Sequence, residues 1–172
     1  MRRVLVVLTL FCASSVAFAS AEDATEDVPV FPNFAFTSID GSKQLDVESF
    51  RGQPLLMTFW ASWCGPCRKE LPELQKLSAE LADDGLALVS INVDQSAVVG
   101  ARFLKKYNLD IPTYRIDQKT AMMLGLQSLP TNMLLDPEGR PVMILRGYSP
   151  EVPNEIRRLV EEMASSKERT GH

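Results

Sequence analysis

The segment Phe59-Trp60-Ala61-Ser62-Trp63-Cys64-Gly65-Pro66-Cys67 decides how this chain is read. It continues the nearly unbroken apolar run Leu55-Leu56-Met57-Thr58-Phe59-Trp60, which starts just after Gly52 and Pro54. Such a run suits a strand buried on both faces of a largely parallel sheet. Downstream, Leu71, Leu74, Leu77 and Leu81 recur at helical spacing, and Asp83-Asp84-Gly85 supplies a stop. Pro72 lies inside that helix and predicts a kink, because it removes one backbone donor. Cys64 and Cys67 therefore fall where a buried strand hands over to a helix.

Working outward, residues 86–93 read as a second central strand. Residues 97–107 show helical spacing, with Val98, Ala101, Leu104 and Tyr107 expected on the packed side and Arg102, Lys105 and Lys106 in water. A short helix is expected over 119–124, where Met122 and Met123 read as core fillers. Residues 131–135 and 141–145 form strands joined by Asp136-Pro137-Glu138-Gly139, whose proline and glycine fit a type I turn. Val152, Ile156, Leu159, Val160 and Met163 mark a closing amphipathic helix, with Glu161 and Glu162 on its wet side. At the other end, Phe34-Ala35-Phe36 and Gln44-Leu45-Asp46-Val47 flank Asp40-Gly41, the pattern of a hairpin. The predicted class is α/β, a mixed central sheet with helices on both faces.

The chain has 172 residues, 45% hydrophobic and 23% charged, which suits one core-forming domain. A net charge of −4 argues against nucleic acid, whose phosphates call for a basic face. Met1-Arg2-Arg3, the apolar run 4–13 and Ala17-Phe18-Ala19 have the pattern of a signal peptide over residues 1–19. A retained membrane anchor is the alternative, although the run is short for a bilayer span. Cleavage would remove Cys12 and leave Cys64 and Cys67. Residues 20–30 form an acidic linker, 31–166 the domain and 167–172 a flexible tail.

The position of the cysteines carries chemistry. A helix N-terminus offers unpaired backbone donors and the positive end of the dipole, so a thiolate at Cys64 is favoured. Cys64 would attack a disulfide, and Cys67, one turn on and less exposed, would resolve the mixed disulfide. A structural zinc site lacks ligands, since the only histidine is His172 at the very end, and no metal is expected. Haem attachment would need histidine where Arg68 stands. A purely structural bridge would constrain little, because the loop it closes is so small.

The motif closely resembles the active-site segment of thioredoxins. Together with the leader, the N-terminal hairpin, Ile91-Asn92-Val93-Asp94 and the helical insertion after it, the resemblance is to the TlpA/ResA branch of extracytoplasmic thioredoxin-like proteins. It covers residues 31–163 and implies a thioredoxin-like fold with an N-terminal hairpin extension and a central helical insertion. It further implies that Leu129-Pro130 is the family's cis-proline dipeptide beside the cysteines, offering a bare edge to a partner's peptide. Trp63, Gly65 and Pro66 would support the active site, with Trp63 shielding the disulfide.

Two departures accompany the resemblance. Thioredoxins carry a buried aspartate where this chain has Thr58, and ResA-type proteins a glutamate where it has Gln95. Asp94 is then the nearest candidate proton acceptor.

The implied activity is thiol–disulfide exchange without a metal or organic cofactor, by a monomer in the periplasm. The Gly-Pro spacer resembles that of reducing thioredoxins. The expected substrates are exported proteins with cysteine pairs, as in cytochrome c maturation or copper-site assembly. The expected electron source is a membrane thiol carrier of the DsbD/CcdA kind. A disulfide oxidase or isomerase, and a Cu(I)-binding delivery module, remain open as alternatives.

Overall fold

A computed structural model describes residues 28–170. The signal-peptide reading of 1–19, most of the linker and His172 lie outside the described residues. Seven strands form one mixed sheet: β1 (Ala35–Ser38), β2 (Gln44–Asp46), β3 (Leu55–Trp60), β4 (Ala87–Asn92), β5 (Thr113–Arg115), β6 (Thr131–Leu135) and β7 (Pro141–Arg146). Their spatial order is β2-β1-β5-β4-β3-β6-β7. β3, β4 and β5 run parallel, while β1, β2, β6 and β7 join through antiparallel pairings. The helices are α1 (Gly65–Glu80), α2 (Ala97–Lys106), α3 (Gln118–Met123) and α4 (Val152–Thr170), with a 3₁₀ turn over Val47–Phe50.

β3 is central and buried throughout. Its alternation sends Leu56, Thr58 and Trp60 to one face and Leu55, Met57 and Phe59 to the other. The first face packs against Leu71, Leu74 and Leu77 of α1, Phe103 of α2, and Val152, Ile156 and Val160 of α4. The second is an aromatic-rich layer of Phe34, Phe36, Phe59 and Tyr114 with Met57, Val89, Ile91 and Met133. It is closed by Phe31, Phe50 and the segment around α3, notably Leu124 and Leu126. Helices thus lie on both faces, but three of the four share one.

Several expectations need correcting. β5 was not anticipated, yet it links the N-terminal hairpin to the parallel core by pairing with both β1 and β4. On α2, Val98 and Ala101 are exposed, and Gly100 and Phe103 are the buried residues. Glycine is required there: a Cβ at Gly100 would sit 2.7 Å from Asn92 Oδ1. Phe103 packs between the rings of Trp60 and Tyr107, at 5.0 and 4.6 Å. Met122 and Met123 are exposed rather than core. Pro72 does lie inside α1, as read from the sequence. α4 runs to Thr170, and the Ser165 and Ser166 hydroxyls bond back to the Glu161 and Met163 carbonyls. Lys167 and Arg169 sit in its last turn, where cations complement the helix dipole.

Candidate active site

The strand-to-helix junction places the two cysteines at the start of α1. Cys64 is the N-cap, and its Sγ accepts a hydrogen bond from Cys67 N at 3.2 Å. Pro66 lies in the first turn, where a missing N–H costs nothing. The pair forms a disulfide, with S–S 2.05 Å and Cα–Cα 5.3 Å. Cys64 keeps 6% of its surface exposed and Cys67 none. No acidic residue lies in the first turn, so nothing there offsets the helix dipole that favours a thiolate at Cys64.

The two tryptophans part company. Trp60 is fully buried and donates from Nε1 to Ser90 Oγ at 2.6 Å. Trp63 is 72% exposed, so it forms a surface beside the disulfide and does not pack as a core side chain. The Leu129–Pro130 bond is cis, as the resemblance implied. Pro130 is buried, and its carbonyl accepts Gly147 N at 2.7 Å. The antiparallel ladder of β6 begins at Thr131, so Leu129 lies just outside it.

Beneath the cysteines the sheet carries a buried polar row. Thr113, Ser90, Thr58 and Asn132 occupy matching register positions on β5, β4, β3 and β6. Ser90 and Thr113 bond each other at 3.2 Å. At the other end, Asn132 Nδ2 donates to Glu70 Oε1 at 2.9 Å. Glu70 lies on α1, one turn after Cys67 and therefore on the same helix face. It is fully buried. Burial pushes its carboxyl up to about 7, against the opposing pull of the Asn132 hydrogen bond, and the charge of Glu73 adds a smaller upward push. Thr58 Oγ1, Glu70 Oε2 and Asn132 Oδ1 have no hydrogen-bond partner among the described residues.

Glu70 is the residue that sequence reasoning missed. In Arg68-Lys69-Glu70 it reads as part of a charged surface run. The available signal was its helical spacing, three after Cys67 and four before Leu74, which places it on the buried stripe.

Asp94 is the candidate proton acceptor that the sequence offers, and Gln95 stands where ResA-type proteins carry a glutamate. Asp94, at the end of β4, is 5% exposed, and its carboxylate accepts from Ser62 N, Ser62 Oγ and Asn92 Nδ2 at 3.0, 2.9 and 2.8 Å. Gln95 is exposed. Both line a cavity of about 700 Å³ with Arg115, Ile116 and Gln118. Among the described residues, no group of three His, Cys, Asp or Glu could hold a metal ion.

A cysteine pair two residues apart at the start of a helix, on a mixed sheet with a cis-proline strand entry, defines a thioredoxin-like dithiol/disulfide oxidoreductase. Residues 25–157 match the Redoxin family model, and the chain belongs to that family; it is TlpA/ResA-like in sequence and fold. The thiol-disulfide oxidoreductase ResA of Bacillus subtilis is 28% identical, over 85% of this chain and 84% of that protein. A thiol-disulfide oxidoreductase from Bacteroides fragilis superposes with a TM-score of 0.66 at 27% identity, covering 76% of this chain and 99% of that one. The Chlorobium tepidum protein assigned as thiol:disulfide interchange protein DsbE gives 0.71 at 24% identity, over 78% and 95%. That last likeness speaks for the fold alone.

Proposed function

We propose that this oxidoreductase works as a reductase of disulfides in exported proteins, with Glu70 as proton acceptor for Cys67. The observation that carries the proton role is a buried carboxyl one turn from the buried cysteine, held up to about 7 by its burial. A group with that acidity can both take and return a proton near neutral pH.

In the reduced protein, the Cys64 thiolate attacks a substrate disulfide. One substrate sulfur leaves as a thiolate and a mixed disulfide forms. Glu70 takes the Cys67 proton, and the Cys67 thiolate attacks Cys64 Sγ, expelling the second substrate sulfur. The substrate gains two electrons, and Cys64–Cys67 is left oxidised, the state the structure holds. A thiol donor must then restore the pair. A membrane carrier of the DsbD/CcdA kind fits the leader read at residues 1–19 and the periplasmic setting it implies, whether the leader is cleaved or kept as an anchor. Among the described residues no helix is long and apolar enough to cross a membrane. The substrate's backbone would align beside Leu129, outside the β6 ladder, in the manner of strand addition. Exposed Trp63 would flank it on the other side. Cytochrome c maturation and copper-site assembly both supply clients with paired cysteines.

Two measurements test this reading. Cys67→Ala expressed in cells should accumulate mixed disulfides through Cys64 with exported cysteine-pair proteins; a trap that captures none overturns it. The reduction potential should lie near about −270 mV, as for reducing thioredoxins, and a value near about −120 mV would make the protein an oxidant.

A further inference from the structure

The carboxylate of Asp94 makes no hydrogen bond to either cysteine; its three bonds go to Ser62 and Asn92. Ser62 is gripped twice, by its main-chain N–H at Oδ2 and by its hydroxyl at Oδ1. Charge-assisted bonds of this kind are the stronger sort, and a two-point grip fixes orientation as well as position. Ser62 is the second residue of the turn Ala61–Cys64, which is closed internally by Cys64 N donating to Ala61 O at 3.1 Å. The next residue, Trp63, is mostly exposed and contributes little packing of its own to that turn.

Asp94 is itself held from three directions. Its N–H donates to Asn92 Oδ1 at 3.3 Å, and Asn92 is buried beneath Gly100 of α2. Arg115 of β5 donates from Nη2 to the carbonyls of Asp94 and Gln95, at 2.7 and 3.1 Å. The end of β4, the start of α2 and β5 thereby all bear on the main chain or side chain of Asp94, whose carboxylate bears on the turn that presents Cys64.

We infer that Asp94 is a positioning residue for the exchange reaction: through Ser62 it braces the turn that aims Cys64 at an incoming disulfide. A carboxylate is needed because three donors converge on it. An amide at the same place could keep the two N–H donors only on its oxygen and would face Ser62 Oγ with N–H₂, reversing that bond and removing the charge that strengthens the grip. Attack on a disulfide requires alignment of the thiolate with the bond it breaks, so slack in this turn slows exchange without changing which groups carry protons.

The test uses the full chain and follows reduction of insulin and of oxidised glutathione across pH 5 to 9. Asp94→Asn and Ser62→Ala should each slow exchange with both substrates by about 10- to 100-fold. The midpoint of the pH–rate profile should stay where it is in the parent protein. The double variant should be no slower than Asp94→Asn alone, because the two residues form one unit. Ser62→Thr, which keeps the hydroxyl, should retain most of the rate. A shifted midpoint would make Asp94 a proton carrier and overturn the inference, as would unchanged rates or additive losses. If Asp94→Asn fails to fold, the comparison of Ser62→Ala with Ser62→Thr decides it. None of these outcomes depends on the direction in which electrons flow in the cell.

Discussion

The two faces of the sheet are built to opposite rules. The face carrying Phe36, Phe59 and Tyr114 is apolar and aromatic, with ring centroids of Phe36 and Tyr114 5.0 Å apart in an edge-on arrangement. The face beneath α1 buries comparable side chains but also accepts Thr58, Ser90, Asn132 and Glu70. An unpaired buried polar atom costs on the order of 1–3 kcal/mol, and that face holds three of them side by side. Both faces bury an apolar core, but the α1 face gives up some stability to keep a buried carboxyl one turn from Cys67.

That contrast can be broken most severely from the apolar side. Phe59→Ala should cost about 3–5 kcal/mol in denaturant unfolding, the range for emptying a fully buried aromatic site. Exchange per folded molecule should be unchanged. A folded variant with greatly reduced exchange would show that the two faces do not divide the work.

Glu70→Gln comes next, and its sign depends on pH. The folded carboxyl sits near 7 against an ordinary 4.5, so the unfolded chain releases this proton more readily. Folding stability is therefore lost as pH rises from about 4.5 to about 7, by up to roughly 3 kcal/mol. The groups facing Glu70 are Asn132, Glu73 and, more weakly, Tyr148. Glu70→Gln escapes the loss. It should be more stable than the parent at pH 8 and nearly equal at pH 4, while the Cys67 step slows. A stability difference that is flat with pH would remove the case for a raised carboxyl.

Thr58→Val is the mildest. It removes a buried hydroxyl that has no partner, at almost constant volume, and should stabilise by about 1 kcal/mol. A loss of stability instead would mean that the hydroxyl is paired and that the polar row is more fully satisfied than its geometry shows.

The parts of the fold legible in the sequence were those with length and period: β3, α1, β4, the β6–β7 hairpin and α4. β5 was illegible because Thr113-Tyr114-Arg115 is too short to show alternation; it is a strand because β4 and β1 offer it edges on both sides. The α2 face was misjudged because hydrophobicity alone favoured Val98, whereas close packing favours the residue with no side chain against Asn92. The cysteine pair followed from its place between a buried strand and a helix, and the cis Leu129–Pro130 bond from resemblance to a known family. Glu70 hid in a charged run, because burial of a glutamate depends on what lies across from it.

Taken alone, the sequence settles that a buried strand delivers Cys64 and Cys67 to a helix start, since apolar run length, helical spacing and the dipole are local properties. It also settles that the thioredoxin aspartate is missing at Thr58. Only the tertiary structure supplies its replacement. Asn132 stands in register with Thr58, and α1 lowers Glu70 onto it, so the carboxyl reaches the same interior from the helix instead of the strand. Likewise, only the meeting of β4, α2 and β5 turns Asp94 from a strand-end acid into a brace. Both depend on groups 32 or more residues apart coming within hydrogen-bond distance, which no local pattern encodes.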